Sequence, residues 1–212
     1  QLGAALQSAG WLGPVLTVAV HLVKLNASAG LSAQPTMAFF PVGMAMRLME
    51  VAAGVESHAA VLRETSVLEA LDYGCVNDFS YASASISNGC AGTVVALVGR
   101  NEGGKTLSRS TVNAVLDNFR SYFDPSNHMH GVPSGMVLPV IRRVATMAIA
   151  DANKKIMLDH DRVLDRLVTG LLLDDGNPRR GQDGADSLQA ECAGVLHELA
   201  LFGPGAETLR SH

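Results

Sequence analysis

The feature that most constrains this chain is a spacing that recurs along it. Leu62 is followed by Val67, Leu68 and Leu71, and Leu158 by Val163, Leu164 and Leu167. Leu6, Trp11, Leu12 and Val15 keep the same offsets. A weaker copy has Leu107, Val112 and Leu116, with Asn113 at the position that is apolar elsewhere, and Leu209 opens a copy that the chain end cuts off. The starts lie irregularly, about 50 residues apart, which is a period of helical repeat arrays. A unit of this kind cannot bury its apolar face alone and must stack on its neighbours.

The text around each anchor leucine also repeats. A helix-like apolar segment precedes it, at 44–53, 93–98, 137–150 and 188–202. A short polar turn follows, at 55–58, 101–104, 151–154 and 203–205. A short helix carrying the anchor comes next, then a longer one. Asp161, for example, is a candidate N-cap for a helix over 163–173 with Leu164, Leu167, Val168 and Leu171 on one face. Asp174-Asp175-Gly176-Asn177-Pro178 then stops it. Segments 123–134 and 174–186 read as loops between units, where insertions are tolerated. Residues 27–41 and 72–87 carry no clear pattern, although the second, rich in Ser and Ala, suits a helix packed closely on a neighbour. The expected division is 1–56, 57–102, 103–152 and 153–203, with 204–212 opening a further unit, all in one solenoid over 1–212.

Composition agrees with a packed helical chain. Apolar residues make up 48% and charged residues 17% of the 212, which excludes an intrinsically disordered chain. Aromatics at 5% and 21 glycines favour closely packed helices over a β-sandwich. A net charge of −4 argues against a nucleic-acid partner. Cys75, Cys90 and Cys192 are too few for a closed disulfide framework; they read as small core residues of a protein in a reducing compartment, expected to be intracellular and cytoplasmic. The longest apolar stretch, 15–25, contains His21 and Lys24 and falls short of the roughly 20 residues of a membrane span, so no span is expected. No secretory leader pattern is present. The chain opens at Gln1 without an initiator Met and stops inside a repeat, so the expectation is a processed product or fragment whose end faces are covered by further residues or by partner subunits.

The run Ala152-Asn153-Lys154-Lys155-Ile156-Met157-Leu158, followed by Val163-Leu164-Asp165-Arg166-Leu167-Val168, resembles the Asn-Lys turn and apolar opening of an armadillo repeat. The segment Leu188-Gln189-Ala190-Glu191-Cys192-Ala193-Gly194-Val195-Leu196-His197-Glu198-Leu199-Ala200 resembles the long third helix of that family. The resemblance extends over about residues 40–212. It implies an all-α, right-handed solenoid of about four armadillo-like repeats, uncapped at both ends. It also implies a non-catalytic scaffold or structural subunit that binds other proteins and needs no cofactor. The register puts Glu50, Ala96, Met147 and Glu198 near the third-helix positions where peptide-binding members often carry Asn. None is Asn here, so the grip on an extended peptide backbone is not reproduced. Two Glu on that face favour a partner with basic segments, or are simply solvated. Arg179 and Arg180, inside an acidic, Gly-rich loop, are candidate contacts to a phosphate or an acidic partner, or are likewise solvated.

A second chemistry competes. Gly99-Arg100-Asn101-Glu102-Gly103-Gly104-Lys105-Thr106 satisfies the P-loop pattern of Gly, four residues, then Gly-Lys-Thr. It follows Thr93-Val94-Val95-Ala96-Leu97-Val98, readable as a buried strand, and precedes a helix-like run at 112–122. On this alternative the chain is an ATPase- or GTPase-like nucleotide binder. The loop from Gly99 to Gly104 cradles phosphates, Lys105 reaches the β and γ groups and Thr106 holds Mg²⁺. The repeat register instead requires an inter-helix turn there. Downstream, 144–151 ends in Asp151 but reads as a helix, and Asn153-Lys154-Lys155-Ile156 lacks the Asp of a guanine-specificity motif. His128-Met129-His130 has ligand character but no Cys or carboxylate at ligand spacing beside it. Cys75 and Cys90 form no Cys-x-x-Cys, and no Gly-x-Ser-x-Gly occurs. The leading reading therefore assigns no metal and no catalytic residue.

Overall fold

A computed structural model describes residues 48–50, 52–53, 55–63, 65–76, 83–101, 106–127 and 132–212, together with 14, 17–19 and 21. Among the described residues the regular structure is helical and no strand occurs. The chain divides into two compact units, 1–101 and 102–212.

Among the described residues of the first unit, α1 (Glu56–Leu62), α2 (Thr65–Val76) and α3 (Ser83–Asn101) follow one another. The anchor Leu62 and its followers Val67 and Leu71 are fully buried, with Leu68 packed against the same core. Small residues fill the rest, among them Ala52, Ala53, Ala59 and Cys90, and α2 and α3 pack against each other. The run 93–98, read as a strand on the nucleotide-binding alternative, is instead the interior of α3. Thr93 lends its hydroxyl to the Gly89 carbonyl of the preceding turn, at 2.9 Å, a bond open to a buried Thr in a helix. The β-branched Thr93-Val94-Val95 carries only a weak strand preference, and burial within a helical core overrides it.

The second unit contains α4 (Arg109–Ser121), α5 (Ser134–Met147), α6 (Asp151–Asp159), α7 (Val163–Thr169), α8 (Ala185–Leu201) and α9 (Gly203–Ser211). Ser108 caps α4: its backbone is extended and its hydroxyl accepts the Thr111 N–H at 3.2 Å. Val112, Val115, Leu116 and Phe119 then form one buried stripe. The anchor Leu107 is buried, but it lies in the non-helical segment ahead of α4 rather than on a short helix. On α8 the stripe is Leu188, Cys192, Val195 and Leu199, and burial pushes the Cys192 thiol up to about 12. α5 lies along α8 and α4, while α6 packs on α4 and α9. Gly205 lets α9 close onto α8, because a Cβ there would collide with the Leu199 carbonyl oxygen.

Three local expectations are corrected. The segment 151–154 is not a turn but the first turn of α6. The helix expected over 163–173 ends at Thr169, where Asn177 satisfies carbonyls that would otherwise call for another turn. Asp161 does not cap it: Arg162 occupies the cap position with φ 59°, and no side chain makes a cap bond. The Asp161 carboxylate lies instead 3.5 Å from Arg120 Nη1. No helix of the described residues is long and apolar enough to cross a membrane.

Candidate interaction surface

Beyond α7 the chain makes a turn that carries two exposed leucines, Leu172 and Leu173, the latter 75% exposed. Asp174 closes it, its Oδ1 accepting the Gly176 N–H at 2.8 Å and its carbonyl the Asn177 N–H at 3.1 Å. Asn177 is buried. Its Nδ2 donates to the Gly170 and Leu172 carbonyls at 3.2 and 3.1 Å, and its Oδ1 accepts the Arg179 N–H at 2.9 Å. The turn is therefore braced from inside.

The brace extends to the segment between α4 and α5. The Arg179 guanidinium, fully buried, donates to the carbonyls of Val132 and Tyr122. Gln182 Oε1 accepts from the Ser134 N–H at 3.1 Å and from its hydroxyl at 2.9 Å. That amide is one of the orphan donors at the start of α5, where Pro133 supplies no side-chain cap. Gln182 Nε2 donates to the Pro178 carbonyl at 3.1 Å. Gly184, at φ 82°, brings the chain against the Gly135 backbone and then into α8. Burial pulls the Arg179 guanidinium below its ordinary range, partly offset by Tyr122, but a guanidinium stays charged throughout the physiological range. Burial likewise raises the Tyr122 hydroxyl, against the opposing pull of Arg143 and Arg179.

The residues singled out from sequence fall in different surroundings. Arg179 faces inward, whereas its neighbour Arg180 is exposed with Nη1 3.6 Å from Asp175 Oδ1. Met147 is buried at the end of α5. Glu198 is half-buried on α8, its Oε2 3.8 Å from the Nζ of Lys154, which also lies 3.0 Å from Asp151 Oδ1. Glu50 is a half-buried helical residue of the first unit. Of the P-loop positions, Gly99 belongs to α3 and Thr106 is exposed; Gly104 and Lys105 lie outside the described residues, as do His128 and His130. Among the described residues no group of His, Cys, Asp and Glu is arranged to hold a metal.

Sequence reasoning missed Asn177, Gln182 and Leu173. The Asp-Gly-Asn-Pro text signals a turn, but not carbonyl partners on a distant segment, and the helix expected to carry Leu173 stops short of it. Searches against protein families, curated proteins and solved structures find no match to this chain.

Proposed function

We propose that this chain is a non-catalytic scaffold, an armadillo-like helical solenoid serving as an interaction subunit of a larger assembly. The observation that carries the reading is the exposed Leu172–Leu173 pair on a turn clamped by Asn177 and Arg179. A rigid display of apolar side chains loses little conformational freedom on binding. Covering one leucine completely is worth about 1.5–3 kcal/mol, so the turn is an anchor point within a wider contact. Exposed Asp174 and Asp175 follow directly, and they suit a partner with an apolar pocket and a basic rim. On this reading Glu198 contributes less to a basic partner than its register suggests, because Lys154 already lies beside it.

The test is Leu173→Asp. The variant keeps the melting temperature of the parent and loses co-purification of the partner subunits that the parent retains; unchanged co-purification removes the turn from the interface. The nucleotide-binding alternative lost its strand to α3. Melting with and without Mg-ATP or Mg-GTP decides it: a rise that Lys105→Ala abolishes would reinstate that alternative and displace the scaffold reading.

A further inference from the structure

The first half of α5 turns an uncharged face to solvent. The helical period sends Ser134, Val137, Val140, Ile141 and Val144 inward, and the helix packs on α8 and α4. Its outer side presents Pro133, Gly135, Met136 and Pro139, all exposed, Met136 at 58%. No residue from 133 to 141 carries a charge. Pro139 has no N–H for the Gly135 carbonyl, so that oxygen loses its regular helical donor in an exposed turn.

Two carboxylates border this face. Gly184 abuts the start of α5: a Cβ there would lie 3.2 Å from the Gly135 nitrogen and 3.6 Å from Leu138 Cδ1. Its neighbour Asp183 is exposed, as is Asp186 in the first turn of α8. Neither carboxylate is tied to a cation among the described residues. The nearby guanidinium groups are engaged elsewhere. Arg142, one turn beyond Pro139, lies 3.0 Å from Glu191 Oε1, Arg180 lies beside Asp175, and Arg179 faces inward onto carbonyls.

We propose that this face of α5, rimmed by Asp183 and Asp186, is a docking surface for a basic amphipathic segment of another protein. Apolar side chains of the partner cover Met136 and Pro139, the flexible methionine adapting to their shape. Its lysines or arginines lie against the two carboxylates and the Gly135 oxygen. Charge complementarity selects this occupant. The apolar face alone would accept a lipid or a second copy, but unpaired carboxylates repel an anionic membrane or a nucleic acid. A second copy seated on the same face would bring like carboxylates together. The surface is separate from the Leu172–Leu173 turn, and it rests on the scaffold reading only in taking a polypeptide as the occupant.

The experiment is fluorescence anisotropy of a labelled leucine–lysine amphipathic helix, and of its leucine–glutamate counterpart, titrated with the full chain at low salt. The leucine–lysine peptide binds and the leucine–glutamate peptide does not. Met136→Asp and Asp183→Lys each weaken binding by about tenfold, as loss of one anchor or one charge pair does in a small contact. The second loss shrinks at high salt. Glu207→Lys, the same charge change at an exposed position of α9, leaves binding as in the parent. All three sites are exposed, so each variant keeps the parent's melting temperature, and should one unfold the other α5-face variant decides. No binding of the leucine–lysine peptide, equal binding of both peptides, or binding that Met136→Asp and Asp183→Lys leave intact overturns the proposal. Binding lost in Leu173→Asp alone also overturns it, moving the docking site to the turn while the scaffold reading stands. Phosphatidylserine vesicles that bind the parent but not Met136→Asp, or self-association that Met136→Asp abolishes, assign the face to a membrane or to a second copy and overturn it likewise.

Discussion

Two of the ties that hold distant segments of the second unit together use different kinds of chemistry. At 177–182, a buried guanidinium and two buried or half-buried amides bind backbone carbonyls and an orphan N–H. At 159–162, exposed carboxylates face exposed guanidinium groups, the Arg109 and Asp159 side chains being 61% and 50% exposed. The second place carries more formal charge, but water competes for the partners there. Exposure, more than the number of charges, sets what such a tie contributes: a surface ion pair is worth about 0–1 kcal/mol, whereas stripping the partner from a buried carbonyl costs about 1–3 kcal/mol per group.

The strongest way to break the comparison is Arg179→Met, which leaves the Tyr122 and Val132 carbonyls without their donor. We expect a loss of about 3 kcal/mol in urea unfolding, unchanged between pH 5 and 8 and between low and high salt. A loss below about 1 kcal/mol would mean that water replaces the guanidinium and that the two ties do not differ in kind. Asn153→Ala sharpens the same point without a charge. Asn153 Oδ1 accepts the Leu107 N–H at 2.9 Å and its Nδ2 donates to the Met147 carbonyl at 3.2 Å, both buried. The expected loss is about 2 kcal/mol, again independent of salt. Arg109→Ala, at the exposed tie, should cost at most about 0.5 kcal/mol at low salt and nothing measurable at 1 M salt. A larger or salt-resistant loss would show that this tie acts as a network rather than as separate pairs.

Much of this was legible from local pattern. The anchor spacing picked out residues that are buried, including Leu62, Leu71, Leu107 and Leu167. The stripes of α4 and α8 follow their apolar periodicity, and the stretch 174–184 is non-helical as its Asp, Gly and Pro content suggests. Periodicity carries such information because the side chains that must leave water are set by the residue types themselves. The anchors' surroundings were less legible. Asn153 reads as a turn residue, yet it lies in the first turn of α6, because its amide bridges Leu107 to Met147.

Arg179 and Arg180 make the division plainest. The sequence assigns them one character, adjacent cations in a polar loop, and nothing local separates them. Packing separates them completely: the Tyr122 and Val132 carbonyls converge on Arg179 and draw it into the interior, while Arg180 stays exposed beside Asp175. Hydrophobicity and helical period are properties of neighbours in the chain and so can be read along it. The partners of a buried polar group come from segments far apart in the chain, and their positions exist only once the helices have packed.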